Sequence, residues 1–413
     1  MLVHICCSVD SHYFLREMQK TYPHEKLIGF FYNPNIHPKE EHDLRLNDVR
    51  RSCKILNIEL LEGNYNLNTW LQNTKGYEDE PEKGERCSIC FDTRLMQTAL
   101  KAKELSISKF STTLLSSPMK EQQTLYMQGD EIAKQHNLEF IKINVRANGG
   151  VNKQNELAKT DNLYRQNYCG CQYALHKQRN KQEKVALEML SSMTKQIMPG
   201  STEERYVQFQ KRDELEKIDR GYILTQRKNL VWRLLHAKVT QKREIIPSYI
   251  IARSMPKKNA KSGNIIWIRV KITDFYTSFQ YILKNLNWQE RMRFLYQKEC
   301  EYKNNMQLQI GYSKKDDSIF LDIRMFNFFF NTQHKSIAEL NANPPSYEQE
   351  LGLRYMLCGM ESVNPIIILD SQIPHDLIVD IESIMQDEKI YIVEEEFYSD
   401  RDVFPEDKID RIS

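Results

Sequence analysis

Nowhere does this 413-residue chain hold an apolar run approaching the roughly 18 residues that cross a bilayer, so no membrane span is expected. Its start is equally bare. Met1 runs straight into Leu-Val-His-Ile-Cys-Cys, without the basic stretch and small-residue cleavage site of a secretory leader, which points to the cytoplasm. Excess charge of one sign is missing too: a net charge of +2 gives no overall pull toward nucleic acid, and any such attraction has to be local. No internal repeat is evident. No glycine-rich loop follows the first apolar run, where Cys6-Cys7-Ser8-Val9-Asp10 stands instead, so the backbone cannot approach a nucleotide phosphate closely there.

Cysteine, by contrast, is plentiful, and six of the nine residues form three tight pairs: Cys6-Cys7, Cys87-x-x-Cys90 and Cys169-x-Cys171. In a cytoplasmic protein thiols stay reduced, so close pairs point to metal or redox chemistry more than to disulfides. A closed zinc site takes four ligands and gives no reason for six clustered thiols. An iron-sulfur cluster also takes four, leaving two thiols and the nearby carboxylate of Asp10 for a separate ion with open positions. Such an ion can accept a substrate oxygen while the cluster delivers electrons, a combination suited to reductive removal of an oxygen function. Spacing alone leaves zinc open in place of the cluster. Cys53, Cys300 and Cys358 are isolated and read as small core residues.

The length allows two or three domains. Over the first 145 residues, Leu2 to Ile5, Lys26 to Tyr32, Ile58 to Leu61, Lys109 to Leu114 and Phe140 to Val145 read as strands. Between them Ser11 to Lys20, Pro38 to Leu56, Ser88 to Leu105 and Met119 to Asn137 read as helices. This β-α-β rhythm belongs to an open α/β fold, a parallel sheet with helices on both faces whose ligands gather at the strands' carboxyl ends. The three cysteine pairs fit that edge. Cys6-Cys7 follows the first strand, Cys87 and Cys90 open a helix after a breaker-rich stretch ending at Gly84, and Gly170 allows a tight turn between Cys169 and Cys171. Other candidates for substrate handling lie close by. The loop Tyr32-Asn33-Pro34-Asn35-Ile36-His37-Pro38 offers His37 as a proton shuttle and Tyr32 as a hydroxyl donor. Thr112 to Leu114 with Ser116-Ser117-Pro118 supplies hydroxyls, and Tyr164-Arg165-Gln166 precedes the third pair.

From about Gln178 the chain becomes a charged, helix-prone connector and then a basic stretch to about Lys261, in which Lys and Arg are about twice as frequent as acids. Tyr206, Phe209, Tyr222, Trp232 and Tyr249 interleave with those charges, so the stretch reads either as a surface that tracks phosphates and stacks bases, or as a plain solvated face. Beyond it an α+β pattern is expected. Ser248 to Ala252, Asn264 to Ile272, Met306 to Gly311 and Ser318 to Phe326 read as strands, and Phe275 to Glu301 and Ser346 to Met360 as helices. The acidic tail, densest at Glu394-Glu395-Glu396, is either solvated or packed on the basic segment.

Five motifs in order resemble those of the QueH family of epoxyqueuosine reductases. They are His4-Ile5-Cys6-Cys7; Tyr32 to Pro38; Glu85-Arg86-Cys87-Ser88-Ile89-Cys90; Thr112 to Leu114 with Ser117-Pro118; and Tyr164-Arg165-Gln166-Asn167-Tyr168-Cys169-Gly170-Cys171. The resemblance spans Met1 to about Leu175. It implies an open Rossmann-like (HUP-type) sheet and a cytoplasmic oxidoreductase of tRNA modification. The implied reaction reduces the epoxide of epoxyqueuosine, at the tRNA wobble position, to queuosine and water, with electrons from an external donor. It also implies a 4Fe-4S cluster and an additional iron ion, held by Cys6, Cys7, Cys87, Cys90, Cys169, Cys171 and Asp10. Asp10, Tyr32, His37 and Arg165 are then the catalytic candidates. The division of the six cysteines between cluster and ion stays open at this point.

The expected organisation is a catalytic domain over 1–177, a basic helical connector over 178–244 and an α+β extension over 245–413. Many family members stop near the third cysteine pair, so the extension is a departure that either grips the anticodon stem-loop or docks another protein. Two other functions compete. A zinc-stapled RNA-binding or adaptor protein would use the cysteines only as staples, and an adenylating tRNA thiolation enzyme would need the Ser-Gly-Gly-x-Asp-Ser loop that is missing after the first strand.

Overall fold

The computed structural model describes residues 1–190, 197–198, 200–251, 265–275, 279, 288–314, 318–359, 364–370 and 376–396. The chain forms two compact units, the first made of Met1–Met189, Arg205–Arg227 and Tyr391–Ser413, the second of Leu190–Glu204 and Lys228–Ile390.

In the first unit β1 (Leu2–Ile5), β2 (Ile28–Phe31), β3 (Glu59–Glu62), β4 (Lys109–Thr112) and β5 (Glu139–Phe140) form one sheet in the order β3-β2-β1-β4-β5. Every pairing in it is parallel, with Leu2 opposite both Ile28 and Phe110. All four residues of β1 are buried, the signature of a strand covered on both faces. The covering helices are α1 (Ser8–Thr21), α2 (Lys39–Ile55), α3 (Leu67–Asn73), α4 (Glu85–Glu104), α5 (Gln122–His136), α6 (Gly150–Thr160) and α7 (Gln172–Lys181). Helix α1 packs on α2 and α6, and α4 packs on α5. Leu2, Val3, Ile5, Phe14, Leu15, Phe31, Val49 and Phe110 lie in the core between them. Sheet order turns around at β1, with β2 on one side and β4 on the other, which leaves a crevice at their carboxyl ends.

Two expected strands are shorter than the apolar runs that suggested them. After Thr112 the chain coils into a 3-10 turn, Thr113–Leu115, because the Thr112 hydroxyl accepts from the Leu114 amide. The expected Phe140-to-Val145 strand leaves the sheet after Phe140, and the carbonyls of Leu114 and Leu115 are taken by Arg146 instead of by a neighbouring strand.

Beyond α7 the connector is helical only in part. Helix α8 (Thr202–Lys217) gives way to β6 (Tyr222–Gln241), which lies between β13 (Ile378–Glu395) and β7 (Glu244–Ile246) in a three-stranded sheet. The expected helical connector over 178–244 is therefore corrected from Tyr222 onward, since β6 finds its partner more than a hundred residues later. The acidic tail does reach the basic segment: Arg227 pairs with Glu394 at 3.6 Å, and the Glu396 amide donates to the Gly221 carbonyl at 2.9 Å.

The second unit is built on a mixed sheet in the order β8-β12-β11-β10-β9, from Ser248–Ile250, Ile366–Leu369, Ile319–Asp322, Gln309–Ser313 and Ile265–Arg269. Its helices include Trp288–Asn305, Ile323–Phe330 and Tyr347–Leu357, packed over Leu321, Phe326, Leu353 and Ile366. The expected strand from Ser318 to Phe326 stops at Asp322, whose carboxylate accepts from the Met325 amide at 3.0 Å and starts a helix. Ala252 and Asn264, at the ends of two expected strands, lie outside the described residues, as does much of the expected helix from Phe275. Among the described residues no helix is long and apolar enough to cross a membrane.

Candidate metal centre

Just beyond β1, Cys7 caps α1 in an extended conformation at φ −164° and ψ 164°, and its carbonyl accepts from the Ser11 amide at 3.0 Å. The Cys6 and Cys7 sulfurs lie 3.8 Å apart, and the Cys6 sulfur is 3.5 Å from Asp10 Oδ2. One ligand atom from each of the three falls within 4.8 Å of the others. Each has a second partner that fixes it. Thr113 Oγ1 donates to the Cys6 sulfur at 3.3 Å and accepts from the Cys6 amide at 3.1 Å. Gln166 Nε2 donates to the Cys7 sulfur at 3.0 Å, and Gln154 Nε2 to Asp10 Oδ1 at 2.8 Å.

These groups resist being charged together. The Cys6 thiol beside it, burial and Asp10 push the Cys7 thiol well above its ordinary range, and burial pushes the Asp10 carboxyl up. Two thiols and a carboxyl forced together, oriented by outer hydrogen bonds, fit a cation that would let all three ionise.

The other four cysteines meet elsewhere on the same edge. Cys87 and Cys90 lie one turn apart on the first turns of α4, with the Lys83 amide donating to the Cys87 sulfur at 3.3 Å. Cys90 and Cys171 share a buried apolar cluster with Trp70 and Ala174, and Cys169 packs against it. Burial, then Cys169 and Cys90, push the Cys171 thiol up to about 12, and Cys87 is raised by burial with Cys169 and Cys90 adding to it. These thiols do not close around a point as the first three ligands do. Four neighbouring thiols, three of them in one partly apolar cluster, are the ligand number and kind that an iron-sulfur cluster takes.

Buried polar side chains hold this region in place. Along one face of α2, Glu41 accepts from Arg45 Nε at 2.7 Å, while Arg45 donates through Nη1 to the Cys169 carbonyl at 3.0 Å and through Nη2 to the Tyr168 carbonyl at 3.1 Å. The Tyr164 hydroxyl donates to Glu41 Oε2 at 2.9 Å. Burial opposes the charge of Arg45, but Glu41 together with Tyr168, Tyr164 and Cys7 outweighs it and raises the guanidinium's pKa. Arg94 reaches the Cys90 sulfur at 3.9 Å and Asn33 Oδ1 at 2.9 Å. None of Glu41, Arg45, Arg94, Gln154 or Lys120 stands out in the sequence, because each is a charged or polar residue on an ordinary helix or loop that also meets groups far along the chain.

A cavity of about 760 Å³ opens at this edge, lined by Cys6, Cys7, Asp10, Lys120, Arg165 and Cys169 among others. Burial works against the charge of Lys120, yet Cys169, Cys87 and Cys90 hold its pKa up. Of the four catalytic candidates, Asp10 and Arg165 line the cavity, whereas Tyr32 and His37 do not. Tyr32 is buried and stacks on Phe30, with ring centroids 6.0 Å apart. His37 lies behind the third cysteine pair, where its Nδ1 accepts from the Gln172 amide at 3.3 Å, its amide donates to the Gly170 carbonyl at 2.8 Å and its ring meets Trp70 edge-on. Burial lowers its pKa to about 4. Cys53 is a core residue, as expected, while Cys300 and Cys358 are half-buried.

Of the aromatic residues interleaved with the basic stretch, Phe209 and Tyr249 are buried in the cores of the two units. Tyr206 accepts from Asn47, and Tyr222 donates to Glu216. The side chain of Trp232 is outside the described residues.

Residues 1–177 match the family model described as epoxyqueuosine reductase QueH. The epoxyqueuosine reductase QueH of Helicobacter pylori is 39% identical over 399 residues, covering 95% of this chain and 99% of that protein. Those of Streptococcus pyogenes and Thermotoga maritima are 34% and 32% identical over 42% and 45% of this chain, which is 69% and 95% of their own lengths. With a relative of this likeness matched along nearly its whole length, the chain belongs to the QueH family of epoxyqueuosine reductases.

Proposed function

We propose that the chain removes the epoxide oxygen of epoxyqueuosine in tRNA with a 4Fe-4S cluster on Cys87, Cys90, Cys169 and Cys171 and a separate iron ion on Cys6, Cys7 and Asp10. The net reaction takes two electrons and two protons, breaks both carbon-oxygen bonds of the epoxide and releases water, leaving the double bond of queuosine. The observation that supports this reading is the tight trio of two thiols and a carboxyl at Cys6, Cys7 and Asp10, set apart from the neighbouring thiols of Cys87, Cys90, Cys169 and Cys171. When bound, the ion supplies a Lewis acid for the epoxide oxygen and the cluster supplies electrons received from an external donor in the cytoplasm.

The protein's own groups do the rest. Thr113, Gln166 and Gln154 orient Cys6, Cys7 and Asp10, the three residues that would hold the ion and that line the cavity. Asp10 and Arg165 sit at that cavity, and Lys120 brings a charged, proton-bearing group to the same cavity. His37, neutral and engaged at Nδ1, holds the Cys169-to-Cys171 turn in place.

The test is iron and acid-labile sulfide content on protein handled without air, alongside conversion of epoxyqueuosine-tRNA. Cys6→Ser and Asp10→Asn should lose about one iron and keep the sulfide, while Cys90→Ser should lose the sulfide. All three should stop turnover. A sulfide content that collapses in Cys6→Ser, or zinc alone in the anaerobic wild type, would overturn the division.

A further inference from the structure

We infer that Tyr391 and Arg212, both far beyond the third cysteine pair, are positioning residues of the reductase site, acting through the segment Asn162 to Asn167. The inference rests on the function proposed above. Its starting point is Gln166, whose amide donates to the Cys7 sulfur at 3.0 Å, and Arg165, which lines the cavity. Neither belongs to a helix or strand, so their placement depends on what grips the backbone around them.

That grip comes largely from the extension. Arg212 on α8 donates through Nη1 to the Asn162 carbonyl at 2.8 Å and to Asp48 Oδ1 at 2.6 Å. The other oxygen of Asp48 accepts from the Tyr164 amide at 2.8 Å and from the hydroxyl of Ser8, the first residue of α1 and the neighbour of Cys7. Arg212 and Asp48 are both about 1% exposed, so each neutralises a charge that would otherwise be stranded. On the next residue the Tyr391 hydroxyl donates to the Arg165 carbonyl at 2.6 Å. The rings of Tyr164, Phe209 and Tyr391 pack with centroids 4.9 to 5.8 Å apart. Asn167 in turn donates to Glu188, which pairs with Arg205 of α8 at 3.2 Å. Each residue flanking the Arg165-Gln166 pair is thus tied, directly or through one carboxylate, to residues 205–212 or to Tyr391.

Tyr391→Phe is the discriminating variant, because it keeps the ring in its aromatic cluster and removes only the hydroxyl on Arg165. Two readouts are needed. In amide hydrogen exchange on the full-length protein, a peptide covering 163–168 should exchange faster in Tyr391→Phe, while Lys217→Ala, on the exposed face of α8, should leave it unchanged. In steady-state kinetics with epoxyqueuosine-tRNA, Tyr391→Phe should lose about tenfold in kcat/KM, mainly through KM, at unchanged iron and sulfide content. Arg165→Ala should lose a similar factor, and the double variant no more than either alone. Arg212→Lys should retain more activity than Arg212→Gln at matched stability.

Wild-type exchange in Tyr391→Phe, or a loss that adds fully to that of Arg165→Ala, would overturn the inference. A wild-type protein without epoxyqueuosine turnover would instead count against the reductase reading, and the exchange result would still decide the coupling.

Discussion

With its Nδ1 accepting from Gln172 and its ring against Trp70, His37 gains more from staying neutral than a solvent-exposed imidazole does. Burial takes its pKa from 6.5 to about 4, and the consequence for stability has a definite sign. Below about pH 6.5 the unfolded chain binds a proton that the folded chain refuses, so the stability associated with the neutral ring is full above that pH and is lost as pH falls toward 4. The slope for one such group is at most about 1.4 kcal/mol per pH unit. His37→Gln keeps an acceptor for the Gln172 amide but removes the titration. Between pH 7 and 5 its Tm should fall less steeply than that of the wild type, and parallel curves would sink the assignment. The contrast with Asp10 shows what is legible at this scale. Asp10 stands three residues from Cys7 and announces itself, whereas the burial that sets the role of His37 depends on Trp70, Tyr168 and Gln172, none of which its own loop contains.

Short elements with a local cause were readable: β1 with its apolar run, α4 opening on Cys87, and the turn at Gly170. Elements whose cause is a distant partner or a single cap were not, as β6 and the helix started by Asp322 show. Gly170 is the case where local chemistry decides the site. It sits at φ +116°, and a Cβ there would lie 2.9 Å from Ile36 Cγ1 and 3.2 Å from Arg45 Nη1, the nitrogen that holds the Cys169 carbonyl. Gly170→Ala should therefore cost about 1–3 kcal/mol in backbone strain and also turn the two thiols out of register. Gly359 has φ +96° with nothing within 4 Å of a Cβ, so Gly359→Ala carries the strain without the displacement. Thermal melts should show both variants destabilised, and sulfide analysis should show loss only in Gly170→Ala. Full sulfide in Gly170→Ala would mean that the turn does not set the cysteine geometry.

For the molecule as a whole, the family motifs suggested a catalytic domain ending near residue 177, while the compact unit also takes in Arg205–Arg227 and Tyr391. The difference was invisible in the motifs because the added residues contribute buried charges and rings rather than ligands. Arg212 answers Asp48, and Arg205 joins Arg179 in answering Glu188. Removing one partner of a buried pair costs on the order of 3–5 kcal/mol, and a domain has only about 5–15 kcal/mol in hand. A chain ending at Met189 should consequently fail to melt cooperatively and should aggregate, which thermal unfolding with light scattering would show. The Thermotoga maritima relative, 95% of whose length is matched by 45% of this chain, manages on a far shorter sequence, so the family's core does not require the extension in principle. What this chain requires is set by its own carboxylates. Adding Asp48→Asn to the shortened chain should then recover part of the lost stability, since the carboxylate that Arg212 answered is gone while Glu188 keeps Arg179 and the apolar face once covered by Phe209 and Tyr391 remains open. A shortened chain that melts as the intact protein does would show that the buried pairs are dispensable.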